Sequence, residues 1–159
     1  MVDIKSLFEY NWYCNRKFLE CMEKLPWDKV TEDRGASFGS MRDIFVHVLE
    51  AEESWVKRVA SGKMEYRPGE EEGKSFKDIN SIKEYMNEVE KESRAYVMKL
   101  SPAQLDKQME LRKNKFRVED LLMHVVEEEI HHRGELLCLM WQIDFEPPYK
   151  SYISYLLKQ

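Results

Sequence analysis

In four long stretches of this chain, apolar residues return every three or four positions, and almost nowhere do they alternate. Ile4, Leu7, Phe8, Trp12, Phe18, Leu19 and Met22 trace one stripe, and Ile44, Val48, Ala51, Trp55 and Val59 a second. Ile82, Tyr85, Met86, Val89, Tyr96 and Leu100 form a third, and Leu121, Val125, Leu136 and Leu139 lie on a fourth. This is the period of a helix that buries one face. Helices of that kind leave a chain few choices. They must lay their apolar faces against each other, and four of them give a four-helix bundle. The sequence predicts an all-α fold in one domain over residues 1–159, a length that suffices to bury a core of its own.

The punctuation supports four segments, at about residues 3–25, 40–60, 79–100 and 117–142. Pro26 ends the first, and the loop WDKVTEDRGASFGS follows, in which Ser37 or Ser40 can cap the second helix. Gly62 terminates that helix. Residues 62–78, with three glycines and Pro68, read as a long surface loop, long enough for an overhand crossover. The segment SPAQLDKQMELRKNKF reads as irregular, with a short extended pair at KQMEL and NKFRV. A short fifth helix is expected at Tyr149–Leu157, after Pro147 and Pro148.

The charge balance narrows the partners. The formal net charge is -5, which makes nucleic acid and anionic membrane surfaces poor partners, since both are themselves negative. No apolar run approaches the roughly 20 residues of a membrane span. No basic segment leads into an apolar one at the start of the sequence, so a cytoplasmic protein is expected. Cys14, Cys21 and Cys138 are odd in number and form no CxxC, which argues against a disulfide framework or a zinc knuckle. They are expected to be reduced core or boundary thiols.

One stretch stands apart. HVVEEEIHHRGELL, His124 to Leu137, holds three of the chain's four histidines and four glutamates. At roughly 100° per residue, His132 falls inside the apolar arc of its helix, Glu128 on the edge, and His124 and His131 further out. Glu128 and His132 are one turn apart on nearly the same face, so both can reach one ion. His47, the remaining histidine, borders the apolar stripe of the second helix. If the second and fourth helices are neighbours, His47, Glu128 and His132 form a triad with positions left open for water or substrate. The plainer reading is a solvated acidic face with incidental histidines. Glu129 and Arg133, four apart and pointing into the arc, could form a buried pair.

These segments resemble the DinB/YfiT-like superfamily of small four-helix-bundle proteins. The stretch SFGSMRDIFVHVLEAEESWVKRVASG is similar to that family's first motif, a capped helix start followed by a histidine, an acidic residue and Trp. LLMHVVEEEIHHRGELL resembles its HxxxHxxxHRGQ motif, and FEPPYKSYISYL its C-terminal tail. The resemblance covers essentially the whole chain. It implies a divalent metal ion, such as zinc, nickel, manganese or iron, with ligands that map to His47, Glu128 and His132. Glu128 stands where the family pattern has a histidine, and His124 matches an earlier histidine that is not normally a ligand. It implies a metal-dependent transferase acting on a low-molecular-weight thiol of the bacillithiol type and an electrophilic small molecule. In such an enzyme Glu129 or Glu52 could position a ligand. A metal-dependent hydrolase and a non-catalytic stress-response bundle are the alternatives. A homodimer is expected if an aromatic-rich face is left uncovered.

Overall fold

The computed structural model describes residues 3–63, 73–148 and 151–157. Helix α1 spans Ile4–Met22, and Asp3 caps it by accepting from the Ser6 N–H. A short α2 covers Trp27–Thr31. Helix α3, Met41–Ser61, starts at Ser40, whose hydroxyl accepts from the Asp43 N–H, and stops at Gly62 in a left-handed conformation. Ser40 is therefore the cap, and Ser37 is free for another role. Helix α4, Ile79–Val97, is capped by Asp78 in the same way as α1. A short α5, Pro102–Leu105, opens on a reciprocal Ser101–Gln104 capping box. A hairpin then pairs β1, Gln108–Leu111, with β2, Asn114–Arg117, antiparallel and in register Met109 to Phe116. Helix α6, Val118–Trp141, follows directly, and α7 covers Tyr152–Leu156.

The four long helices and the extended pair therefore lie where the sequence predicts. The short α2 and α5 fall in stretches that read as loop. The expected crossover loop lies largely outside the described residues, apart from a single helical turn at Gly73–Ser75, and so does the expected start of the last helix at Tyr149.

Helix α3 packs on both α6 and α4, and α1 packs on the same two. The four long helices thus close a ring, with α1 diagonal to α3. One apolar cluster gathers Phe18, Met22, Met41, Phe45, Leu136 and Met140 at one end. Another gathers Phe8, Trp12, Val56, Val97, Leu122 and Val126 at the other. Between them each helix contributes polar residues that are fully or nearly buried: Asn11 and Asn15 from α1, Glu52 from α3, Ser93 from α4 and Glu129 from α6.

In that layer, Trp12 Nε1 donates to Glu52 Oε1 at 2.8 Å, and Asn15 Nδ2 donates to Glu129 Oε2 at 3.2 Å. The two carboxyls also face each other. Burial, above all, pushes both above the ordinary carboxyl range, Glu129 well above it, with the adjacent Glu52 carboxyl adding to the effect. Glu129 and Arg133 make no direct hydrogen bond or close ion pair, although the Arg133 charge pulls the Glu129 pKa down against its burial. Arg133 Nη1 donates to Asn11 Oδ1 at 3.1 Å, and its guanidinium lies over the Tyr10 ring. A helical wheel sees only one helix, and the better partner for Arg133 sits on α1. Trp55, on the expected stripe of α3, is only half-buried. Cys14 is buried, which raises its thiol pKa, whereas Cys138 is exposed.

Candidate metal centre

The α3–α6 seam carries the histidines. The two helices run antiparallel, so that His47 meets His132 while Trp55, two turns further along α3, meets His124. The structure thus brings His47, Glu128 and His132 to one point. A single Glu128 oxygen, Oε2, lies 3.6 Å from His47 Nε2 and 3.4 Å from His132 Nε2. All three donor atoms fall within 4.8 Å of one another.

Those separations have a chemical meaning. Two donors bound tetrahedrally to one ion at about 2.1 Å stand roughly 3.4 Å apart. The Glu128 oxygen already keeps that distance from both imidazoles. Two imidazoles and a carboxylate are a donor set that holds zinc, nickel, manganese or iron. Burial, and next the neighbouring His132, hold the His47 pKa below its ordinary value, while Glu128 pulls the other way. A neutral imidazole keeps a lone pair for an ion. Exposure is graded across the group: the His132 side chain is 7% exposed, and those of Glu128 and His47 are 27% and 29%. The site is therefore anchored inward at His132 and opens outward along the seam.

Two other clusters compete for the same role. His124, Glu127 and Glu128 share the surface of α6, with His124 at 3.8 Å from Glu127 and 4.0 Å from Glu128. That group is more exposed and lies on one helix. The second cluster is His131, His132 and Glu135. Its His132 Nδ1 already bonds Glu135 Oε2 at 2.7 Å, and His131 is exposed. The first triad is the one whose donors come from two helices and are not already consumed by hydrogen bonds to other side chains.

Three residues that sequence reasoning passed over surround the triad. Glu135 accepts from His132 on one side and from Ser37 on the other, through the Ser37 N–H at 3.2 Å and its hydroxyl at 2.7 Å. Burial alone would raise the Glu135 pKa; these bonds more than offset it and hold the carboxyl below its usual range. Phe38 stacks on His47, with ring centroids 3.9 Å apart, and meets His132 edge-on at 5.4 Å. Only the spacing of Glu135, one turn past His132, was visible beforehand. Glu52 and Glu129, considered as ligand-positioning groups, lie instead in the polar layer of the core, bonded to Trp12 and Asn15.

The comparisons with known proteins agree with this architecture. The DinB family model matches residues 1–158. Protein DinB of Bacillus subtilis strain 168 is 25% identical over 159 residues, covering 95% of this chain and 92% of that protein. The crystal structure of a DinB-like protein, YjoA, from Bacillus subtilis superposes with a TM-score of 0.70 at 20% identity, over 90% of this chain and 96% of the other. At that identity it speaks for the fold alone.

Proposed function

The chain belongs to the DinB family, and from that premise we propose that it acts as one helical unit holding a single divalent metal ion through His47, Glu128 and His132. The observation that carries the reading is that one Glu128 oxygen stands at about a tetrahedral edge length from each imidazole, with the three donors contributed by two neighbouring helices and all within 4.8 Å of one another. When bound, a divalent cation supplies Lewis acidity, which lowers the pKa of a thiol or water it coordinates. His132 gives the site its fixed point, since its far nitrogen is tied to Glu135. Glu128 bridges toward both imidazoles. His47, Glu128, His124 and Trp55, along the outer side of the seam, are each half-buried, and a small molecule would approach from that side. The reaction that fits is transfer of a low-molecular-weight thiol, of the bacillithiol type, to an electrophilic small molecule in the cytoplasm.

The first test is the metal content of the protein purified without a histidine tag, measured by mass spectrometry beside Glu128→Ala and His132→Ala. Near-stoichiometric metal that drops sharply in both variants supports the site. If the native protein carries none and takes up no zinc, nickel or manganese on titration, Glu128 marks a lost metal site and the function of the bundle lies elsewhere. An electrophile-consumption assay with and without added thiol then separates transfer from hydrolysis, because a hydrolase needs no thiol.

The outer face of α6 supports a homodimer. Met123, Ile130 and Trp141 are all exposed, and at about 100° per residue they fall within roughly 20° of one line. Ile130→Glu should leave a monomer by analytical ultracentrifugation where the parent protein sediments as a dimer.

A further inference from the structure

The metal reading concerns two helices, but the site is also held from a third segment. The loop between α2 and α3 folds into a tight turn, closed by the Gly39 N–H donating to the Ala36 carbonyl at 2.9 Å. A second bond, from the Arg34 N–H to the Gly39 carbonyl at 2.9 Å, braces its base. Asp33 accepts from the Gly35 N–H. Gly39 sits in the left-handed region, with φ of 84°, and a Cβ there would meet the Asp33 carboxylate at 3.1 Å. The turn is therefore fixed by its own bonds, and its tip is the pair Ser37–Phe38.

Both tip residues reach the candidate ligands. Ser37 gives two hydrogen bonds to Glu135, and Glu135 takes His132 Nδ1. Phe38 lies flat on His47. In a neutral imidazole, an Nδ1–H donated to a carboxylate leaves Nε2 unprotonated, and Nε2 of His132 is the atom that faces Glu128. The carboxylate doing this is in turn oriented by the turn.

We infer that Ser37 and Glu135 are positioning residues of the metal centre: the 33–39 turn, acting through Glu135, sets the tautomer and orientation of His132. This rests on the His47–Glu128–His132 reading for its metal-binding consequence, though not for the state of His132 itself. Outer partners of this kind typically change metal affinity by about 10- to 100-fold.

The test uses the full chain and two readouts. The first is the nitrogen-15 shifts of the His132 ring in metal-free protein, which report the tautomer. The second is titration with zinc alone and nickel alone. The parent protein should show the Nδ1–H tautomer, and Glu135→Ala should shift His132 toward a mixture and weaken metal binding by at least about 10-fold. Ser37→Ala should move both readouts in the same direction by less, and Ser37→Thr, which keeps hydroxyl and N–H, should restore them. The double variant should match Glu135→Ala alone, because Ser37 acts only through Glu135. An unchanged tautomer in Ser37→Ala and Glu135→Ala, or losses that multiply in the double variant, would overturn the inference. A parent protein that binds neither metal defeats the metal reading, and the ring shifts then decide alone whether the turn governs His132.

Discussion

Glu52 is a carboxyl with almost no access to water, and its surroundings dictate how it behaves. Trp12 Nε1 satisfies one oxygen, and the Glu129 carboxyl faces the other side. Two buried like charges side by side are costly, so a proton held between them is the cheaper state. Burial, first of all, raises the Glu52 pKa in the folded protein above its ordinary value of 4.5. The folded state therefore binds more protons than the unfolded one above that pH. Stability falls as pH rises from about 4.5 toward the raised folded value, and levels off beyond it. Glu52→Gln removes the share of the effect that Glu52 carries, leaves that of the buried Glu129, and can still donate an amide N–H to Glu129. Its unfolding midpoint should depend less on pH between 4.5 and 8 than that of the parent protein. Glu52→Leu, by contrast, leaves the buried Trp12 N–H without a partner and Glu129 with only its bond from Asn15, and should cost about 1–3 kcal/mol in urea unfolding. Equal pH slopes for parent and Gln variant would show that Glu52 does not carry the proton.

At the scale of elements, the start of α3 matters most, since that helix carries His47. Its cap is the Ser40–Asp43 pair, and the turn at Gly73–Ser75 packs on it. A Cβ on Gly73 would come within 2.1 Å of Asp43 Oδ1 and 2.9 Å of the Asp43 Cα. The carboxylate can swing aside, but the backbone cannot without disturbing the cap. Gly73→Ala should therefore destabilise the fold by about 1–3 kcal/mol, read from thermal or urea unfolding. The long helices were legible because a stripe such as Ile44, Val48, Ala51, Trp55 and Val59 repeats over several turns and has caps at its ends. Helices α2 and α5 were not, because five and four residues cannot show a period; α2 buries only Val30, and α5 buries nothing. The His47, Glu128 and His132 cluster was legible from one i, i+4 pair and the guess that two helices touch. Ser37 was not, because its bond to Glu135 joins residues 98 apart in sequence. Arg133 was misassigned for a related reason: its acceptor, Asn11, sits on another helix.

For the molecule as a whole, the candidate site lies across the α3–α6 seam, and an ion bound there ties two of the four long helices together. No helix among the described residues is long and apolar enough to cross a membrane. A ligand that binds only the folded protein stabilises it by RT ln(1 + [L]/Kd), about 2.7 kcal/mol when free metal is 100 times Kd. For a chain of this size, about 2–4 °C accompanies each kcal/mol, so a rise in Tm of roughly 5–11 °C is expected. The response of the variants identifies the site. If the ion sits between the helices, His47→Ala and His132→Ala should both abolish the rise, because each removes one of only three protein donors. If it sits instead on His124, Glu127 and Glu128, all within α6, His47→Ala should keep the rise and His124→Ala should lose it. A rise lost in His47→Ala and retained in His124→Ala places the ion at the seam, where the Ser37–Glu135 bond holds the deepest of its ligands.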